Sequence, residues 1–410
     1  MTVLRTTCCI AGGGPAGMML GFLLARAGVS VVVLEKHADF LRDFRGDTVH
    51  PSTLELIHEL GLLTAFLRRP HRKVTTLTGQ IGAELVEIAD FSYLPTHCKF
   101  VALMPQWDFL DFLAGHGRAY PGFDLHMRAE VTDLVVEAGR VAGVMAQTPD
   151  GPLEIRADLV VGADGRGSIL RDKAGLRSED FGAPMDVQWF ALSRRPDDPQ
   201  GLRGRFEAGR IVVLIDRGDY WQCGFVIAKG AADQVRRQGL DSWRAGLAQS
   251  VPFLADRVRE IQTWDQVKLL TVSVDRLRRW WRPGLLFIGD AAHAMSPLGG
   301  VGINLAIQDA VAAANTLAVP LARGVVSDSD LAQVQRRRLW PTRVIQRIQV
   351  IMQSRIIGPV LSGTIELRVP FAIRLMQWFP WLRGLPARLV GIGLRPEHIR
   401  TPDIKRQASP

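Results

Sequence analysis

The first thirty-five residues constrain the fold of this chain more than any other stretch. A short apolar run, Thr7–Ala11, breaks into Gly12-Gly13-Gly14-Pro15-Ala16-Gly17. Behind it, Met18–Ala27 is small and apolar with helical character, and Val29–Leu34 is a β-branched run ending in Glu35. The order strand, tight turn, helix, strand, acid predicts a βαβ unit. Gly12, Gly14 and Gly17 occupy the G-x-G-x-x-G positions. The first allows the turn, the second lets a pyrophosphate approach the backbone, and the third lets helix pack on strand. Pro15 and Ala16 complete the turn, and the helix start offers N–H groups and a positive dipole end to phosphate. Glu35, with Lys36 beside it, falls where a carboxylate grips ribose hydroxyls. A carboxylate there repels a 2′-phosphate, so the resident nucleotude is expected to be FAD or NAD. A glycine loop that merely turned the chain would leave three glycines and a proline without purpose.

Composition removes several other classes. With 410 residues, 47% hydrophobic and 22% charged, the chain is neither disordered nor a coiled coil. Lys+Arg exceed Asp+Glu by 50 − 41 = 9. Only Lys36, Lys73, Lys99, Lys173, Lys229, Lys268 and Lys405 are lysines, and no block of about five or more like charges and no nucleic-acid motif appears. Nucleic acid is therefore not an expected partner. Cys8, Cys9, Cys98 and Cys223 lack zinc or redox spacing, and no metal cluster is expected. They read as buried thiols in a reducing compartment. The glycines interrupt any leader-like start, and the longest apolar candidate, Ala310–Ala322, contains Asn315 and Pro320. The expected location is the cytoplasm.

Two further stretches repeat the theme of apolar strand into acid-bearing glycine turn. Asp158-Leu159-Val160-Val161-Gly162-Ala163-Asp164-Gly165 leads into Arg166-Gly167-Ser168 and Arg171. Gly284-Leu285-Leu286-Phe287-Ile288-Gly289-Asp290 leads through His293 and Pro297 to Gly299-Gly300-Val301-Gly302-Ile303-Asn304, then into an alanine-rich helix reaching about Ala318. Three such fingerprints, in this order and spacing, resemble the single-component FAD-dependent monooxygenases, the aromatic hydroxylase superfamily of p-hydroxybenzoate hydroxylase. Arg45-Gly46-Asp47 before a helix at Ser52–Leu60, and Gln106 in Met104-Pro105-Gln106-Trp107, add to the likeness, which spans about residues 5–345.

The resemblance implies a role for each matching residue. Glu35 would bind the adenosine ribose, and Arg45 and Gln106 would line the FAD crevice. Asp164 belongs to a fingerprint that serves FAD and NAD(P)H. Gly289 and Asp290 would hold the ribityl or pyrophosphate side. Pro297, Gly299, Gly300, Val301, Gly302 and Asn304 would lie beside the isoalloxazine, where backbone N–H groups at the helix start suit negative charge. The implied reaction uses NADPH or NADH and O2 to hydroxylate or epoxidise an electron-rich, lipophilic small molecule through a flavin C4a-hydroperoxide. Arg45 and Pro297 would be most tied to rate. His50, close in sequence to Arg45, is a candidate base, weighed against a capping role; His293, next to Asp290, is weighed against a purely structural one. The alternative is an FAD oxidoreductase of the same fold that inserts no oxygen, such as a prenyl-chain reductase. A non-enzymatic prenyl-binding escort of this fold would not need the intact glycines and Asp290. No W-x-W-x-I-P appears, which argues against a flavin halogenase.

The expected architecture is α/β: a discontinuous Rossmann-like FAD-binding domain at 1–70, 100–180 and 275–345, a β-sheet substrate domain at 71–99 and 181–274, and a helical C-terminal section at 346–410. In the sheet, Phe206–Leu214 and Tyr220–Ile227 are expected to pair around a turn at Asp216–Asp219. Gln188, Phe190, Tyr220 and Gln222 are candidate substrate contacts, weighed against plain cross-strand packing. With Tyr93, Tyr120 and Tyr220 as the only tyrosines, no tyrosine relay for ionising a phenol can be placed. In the tail, Leu375–Leu382 is aromatic and apolar, with Arg355, Arg368, Arg374, Arg383, Arg388, Arg395 and Arg400 around it. Such a segment can lie on an anionic membrane. The preferred reading is short helices, punctuated by Pro370, Pro380 and Pro386, that cover the domain interface or the pocket mouth.

Overall fold

The computed structural model describes residues 2–41, 48–199, 201–363 and 368–407. Its first sheet runs parallel in the order Leu285–Phe287, Gly151–Gly162, Thr2–Ala11, Val31–Glu35, Phe123–Met127. Strand Arg140–Thr148 pairs antiparallel with the first half of Gly151–Gly162, and Glu130–Glu137 pairs beyond it. Both faces of the parallel sheet are buried, which explains its near-continuous Val, Ile and Leu runs. Cys8 and Ile10 face a core shared with helices Pro15–Arg26, Gln106–Gly117 and Val301–Ala322. Cys9 and Ala11 face a second core with Val144, Ile155 and Leu170. The helix that begins at the glycines is long and apolar enough to cross a membrane, but 72% of its most apolar window is buried inside the fold.

The second sheet has seven strands, in the order Lys268–Leu270, Met185–Ser193, Tyr220–Ala228, Arg210–Asp216, Leu202–Glu207, Thr76–Ile81, Glu84–Asp90. Neighbours are antiparallel except Leu202–Glu207 against Thr76–Ile81. The expected strand Phe206–Leu214 is in fact two strands. Glu207 pairs with Arg210 across a turn at Ala208 and Gly209, and Gly209 supplies φ +78. The Arg210–Asp216 and Tyr220–Ala228 hairpin does close around Arg217–Asp219, with Asp216 opposite Trp221.

The outer face of this sheet carries Phe190, Leu192, Trp221 and Cys223 against Trp243 and Leu247 of helix Leu240–Ser250. The inner face carries Met185, Val187 and Val226 in one apolar cluster with Leu298, Ile357 and Val360. Ile215 and Val213 continue it against Ala387 and Val390. After helix Asp328–Met352, which packs on Val301–Ala322, the chain forms short helices including Phe371–Trp378 and Gly384–Gly391. These cover the edge strand Glu84–Asp90, where open backbone groups would otherwise invite pairing.

Candidate active site

In parallel register, Ala11 sits opposite both Gly162 and Leu34, and Gly162 opposite Phe287. Neighbouring strands therefore end at one level, and the loops after them leave the same edge of the sheet. That edge is where ligands bind in open α/β folds. The three fingerprints touch one another there. A Cβ on Gly12 would lie 2.3 Å from the Ala163 carbonyl oxygen, joining first loop to second. The Arg166 guanidinium donates from Nε to Asp290 Oδ2 at 3.0 Å, joining second to third. A Cβ on Gly289 would lie 3.2 Å from the Cβ atoms of Ala16 and Ala306, joining third to first and both to the late helix. Gly17 packs so closely that a Cβ would meet the Gly12 carbonyl oxygen at 1.9 Å.

The chemistry of these loops fits a dinucleotide such as FAD. No side chain caps helix Pro15–Arg26, and a Cβ on Gly14 would meet nothing within 4 Å. Glu35 is buried, with Oε2 accepting from Gly13 N–H and Oε1 from His37 N–H, both at 3.0 Å. A carboxylate is an acceptor and suits the hydroxyl donors of a ribose. Asp164 Oδ2 accepts from Leu170 N–H at 3.3 Å, while Oδ1 is buried with no partner among the described residues. Burial raises the Asp164 carboxyl above its ordinary range, against hydrogen bonds from Ser168 and the backbone. Arg166 Nη1 is likewise buried and unpartnered, although Nη2 donates to the Met295 carbonyl at 3.2 Å. Orphaned polar atoms cost free energy unless a ligand or water satisfies them. Here an orphaned acid oxygen and an orphaned guanidinium nitrogen lie on one loop, Asp164–Arg166.

Lys36 is exposed just beyond Glu35, and Gln106 is half-buried at the start of helix Gln106–Gly117. Arg45 lies outside the described residues. Pro297 precedes the late helix, and Gly299 and Gly300 take left-handed conformations at φ +76 and +63. Two consecutive left-handed residues turn the loop into Val301–Ala322, whose N-terminus has no side-chain cap. Gly302 is half-buried in the first turn. Asn304 looks elsewhere: its buried Oδ1 accepts from Ser52 Oγ at 2.7 Å and Thr53 Oγ1 at 3.0 Å, stitching the late helix to helix Pro51–Glu59.

Both histidines are buried. His50 occupies the N-cap position of Pro51–Glu59, yet its side chain does not cap. Its Nδ1 instead pairs with the Val390 carbonyl at 2.9 Å, and a Cβ on Gly300 would lie 3.4 Å from its Nε2. Burial lowers its pKa, against hydrogen bonds involving Val390 and Gly300. The ring thus links the Gly299–Gly300 loop to the C-terminal section. The His293 Nε2 meets Asp309 Oδ2 at 2.6 Å. Asp309 also accepts from Gly289 N–H at 3.1 Å and Arg338 Nε at 2.9 Å. Burial alone would raise the Asp309 carboxyl, but His293 and Arg338 hold it below its usual range.

On the seven-stranded sheet the candidates divide by face. Gln188 accepts from Trp243 Nε1 at 2.9 Å, and the Phe190 ring meets that of Trp243 edge-on at 4.9 Å. Both therefore face the outer helix, away from Leu298. Gln222 has inner-face parity, but its Oε1 accepts from Arg217 Nε at 2.9 Å and Nη2 at 2.8 Å. Burial brings that guanidinium down to about 10. Tyr220 shares the parity at the strand's first residue and is half-buried. Between these two lies Trp189, which sequence reasoning passed over. It packs in the inner-face clusters, its ring lies over Gly224, and its indole N–H is buried without a partner. Arg166 was also missed; a cation inside an acid-bearing glycine turn was the available signal. Nothing in the sequence distinguished the parity of Trp189 from that of Phe190.

Comparison with known proteins agrees with this geometry. Residues 5–347 match the family model described as FAD binding domain. The chain is 35% identical over 393 residues to a 6-methylpretetramide 4-monooxygenase of Streptomyces rimosus, covering 94% of this chain and 92% of that one. It shares its fold with OxyS anhydrotetracycline hydroxylase of Streptomyces rimosus, at TM-score 0.75 and 24% identity over 95% of this chain and 76% of that one. PqsL of Pseudomonas aeruginosa, a probable FAD-dependent monooxygenase, superposes at TM-score 0.74 with 21% identity, covering 88% and 99%. The chain belongs to the FAD-dependent monooxygenases built on this FAD-binding domain.

Proposed function

We propose that the protein hydroxylates a polycyclic, phenol-bearing aromatic compound, using NADH or NADPH and O2. The observation that carries this reading is the mutual contact of the three fingerprint loops at one sheet edge. The relative with near full-length similarity, named for its action on 6-methylpretetramide, supports the substrate class.

FAD bound in the crevice supplies hydride acceptance and oxygen activation; the protein supplies binding, orientation and exclusion of water. Glu35 holds the adenosine ribose, and the uncapped start of Pro15–Arg26 receives the pyrophosphate. Arg166 fixes Asp290 and the Met295 carbonyl, and its free Nη1 serves an anionic oxygen of the cofactor. Asp164 offers its unpartnered oxygen to a hydroxyl. The N–H groups at the start of Val301–Ala322 stabilise negative charge at the reacting end. Gln106, Lys36 and Pro297 line the rest of the cofactor path. The inner sheet face, with Trp189, Val213 and Ile215, gives an apolar wall that keeps water from the reacting oxygen. The Trp189 indole N–H donates to a substrate oxygen, with Gln222 and Tyr220 farther along the same face. His50 keeps its ring neutral and positions the Gly300 turn. Four buried, unpaired thiols fit a reducing cytoplasm.

The test is turnover under heavy-isotope O2 with a panel of polycyclic phenols. One heavy oxygen per product molecule, with nicotinamide oxidised in step and little peroxide, is expected. Substrate-dependent nicotinamide oxidation giving a product without heavy oxygen would assign the protein to reductases of the same fold.

A further inference from the structure

The segment Arg368–Pro396 contains five arginines and no acidic residue. Its short helices were expected to cover the domain interface or the pocket mouth, which leaves the direction of its aromatic side chains open. They point outward. Phe371 is 71% exposed, Trp378 67%, Trp381 62% and Leu385 61%, with Phe379 also exposed. Phe371, Arg374 and Trp378 share one face of helix Phe371–Trp378 by their three- and four-residue spacing. The opposite face is anchored: Gln377 exchanges hydrogen bonds with the backbone of Glu87, and Arg383 pairs with the Glu87 carboxylate. Leu385 and Arg388 extend the outward surface along helix Gly384–Gly391. A fold that buries Trp221 and Trp280 completely leaves Trp378 and Trp381 in water, and large exposed aromatic patches mark interaction surfaces.

We propose that this face docks on an anionic lipid surface. Tryptophan and phenylalanine rings enter the headgroup boundary, while arginines on the same face meet lipid phosphates. The charge pattern selects this occupant: Arg368, Arg374 and Arg388 are exposed around the rings, and the segment itself has no carboxylate, the partner of Arg374 being the exposed Glu84 of the neighbouring strand at 3.7 Å. The position gives docking a purpose. Helix Gly384–Gly391 turns Leu385 and Arg388 outward, while its Val390 carbonyl bonds His50 and its Val390 side chain lies against Gly299. One helix therefore separates the lipid surface from the loop that begins the late helix, so a lipophilic substrate held in the bilayer is delivered beside the site.

The test uses the flavin-loaded full chain with phosphatidylcholine vesicles, with and without phosphatidylglycerol, at low and high salt. Co-sedimentation with the anionic vesicles is expected, reduced at least tenfold by high salt or by omission of phosphatidylglycerol. The double variant Trp378→Ser/Trp381→Ser should lose binding about tenfold, and Arg374→Gln/Arg388→Gln should lose its salt dependence, with flavin content unchanged in both. No co-sedimentation at low salt, or equal binding by wild type and the tryptophan variant, overturns the proposal. So does a wild-type dimer that the tryptophan variant makes monomeric, which would assign the face to a second copy. Flavin content is read on the same samples, so failure of the docking and failure of the cofactor assignment remain distinguishable.

Discussion

The two large sheets place function in different parts of a strand. In the parallel sheet it sits at strand ends, where Ala11, Gly162 and Phe287 finish level and hand over to touching loops. In the seven-stranded sheet the proposed substrate contacts lie on a face, and adjacent residues belong to opposite layers. Trp189 joins the inner clusters, while Phe190, one residue on, joins the outer one. The strand-end site is shaped by the backbone, with no room for a Cβ at Gly12 or Gly17. Face function is anchored by side-chain parity and is blind to the backbone.

The largest expected effect breaks the first arrangement. Gly12→Val puts a branched side chain at φ +110 with its Cβ 2.3 Å from a carbonyl oxygen. We expect a loss of at least about 4 kcal/mol, or failure to fold. Chemical denaturation and flavin content measure it; a stable, flavin-loaded variant contradicts the tight turn.

The second prediction uses neighbours to separate the faces. Phe190→Ala should cost about 3–4 kcal/mol and leave the KM of the folded enzyme unchanged. Trp189→Phe removes the unpartnered N–H together with one ring of the indole, so stability should fall by about 1–2 kcal/mol, while KM rises about five- to tenfold. Reversal of the two patterns would put substrate on the outer face.

Third, Arg166→Gln deletes the charge linking the second and third loops. FAD affinity, followed by quenching of flavin fluorescence, should fall about tenfold or somewhat more, the usual worth of a hydrogen bond to a charged group. Unchanged affinity would make the Arg166–Asp290 pair incidental.

The smallest effect is pH-dependent. His50 is held below 6.5 by burial, so the unfolded chain binds a proton that the folded chain resists. Stability from the neutral ring is present above 6.5 and falls as pH drops through the window below it, by at most about 1.4 kcal/mol per unit. His50→Gln should flatten that limb of the profile. The outer layer differs: Arg257 hydrogen bonds hold Asp198 below its usual 3.8, so its contribution persists until far more acidic conditions.

The same contrast explains what could be read without coordinates. Strand, glycine turn, helix and acid each leave a local mark, so the first βαβ unit and both later turns were legible from residue order. Gly12 and Gly17 are glycine because a carbonyl oxygen occupies the place of their Cβ, a requirement written directly in the sequence. The face of Met185–Ser193 was not legible, because Val187, Trp189, Phe190 and Leu192 are apolar on both sides and alternation gives no sign. Nor could the sequence show that Asn304 would turn to Ser52 and Thr53, or that His50 would reach Val390, a partner 340 residues away. Those choices are made by tertiary packing.

The central claim is that the three touching loops hold one FAD. Flavin released from denatured, purified protein and quantified against chain concentration tests it most directly. The account requires one FAD per chain in wild type and in Phe190→Ala, and a pale, flavin-poor Asp290→Ala. A folded wild-type chain that takes up no flavin on reconstitution, or an Asp290→Ala variant that stays fully loaded, would contradict it.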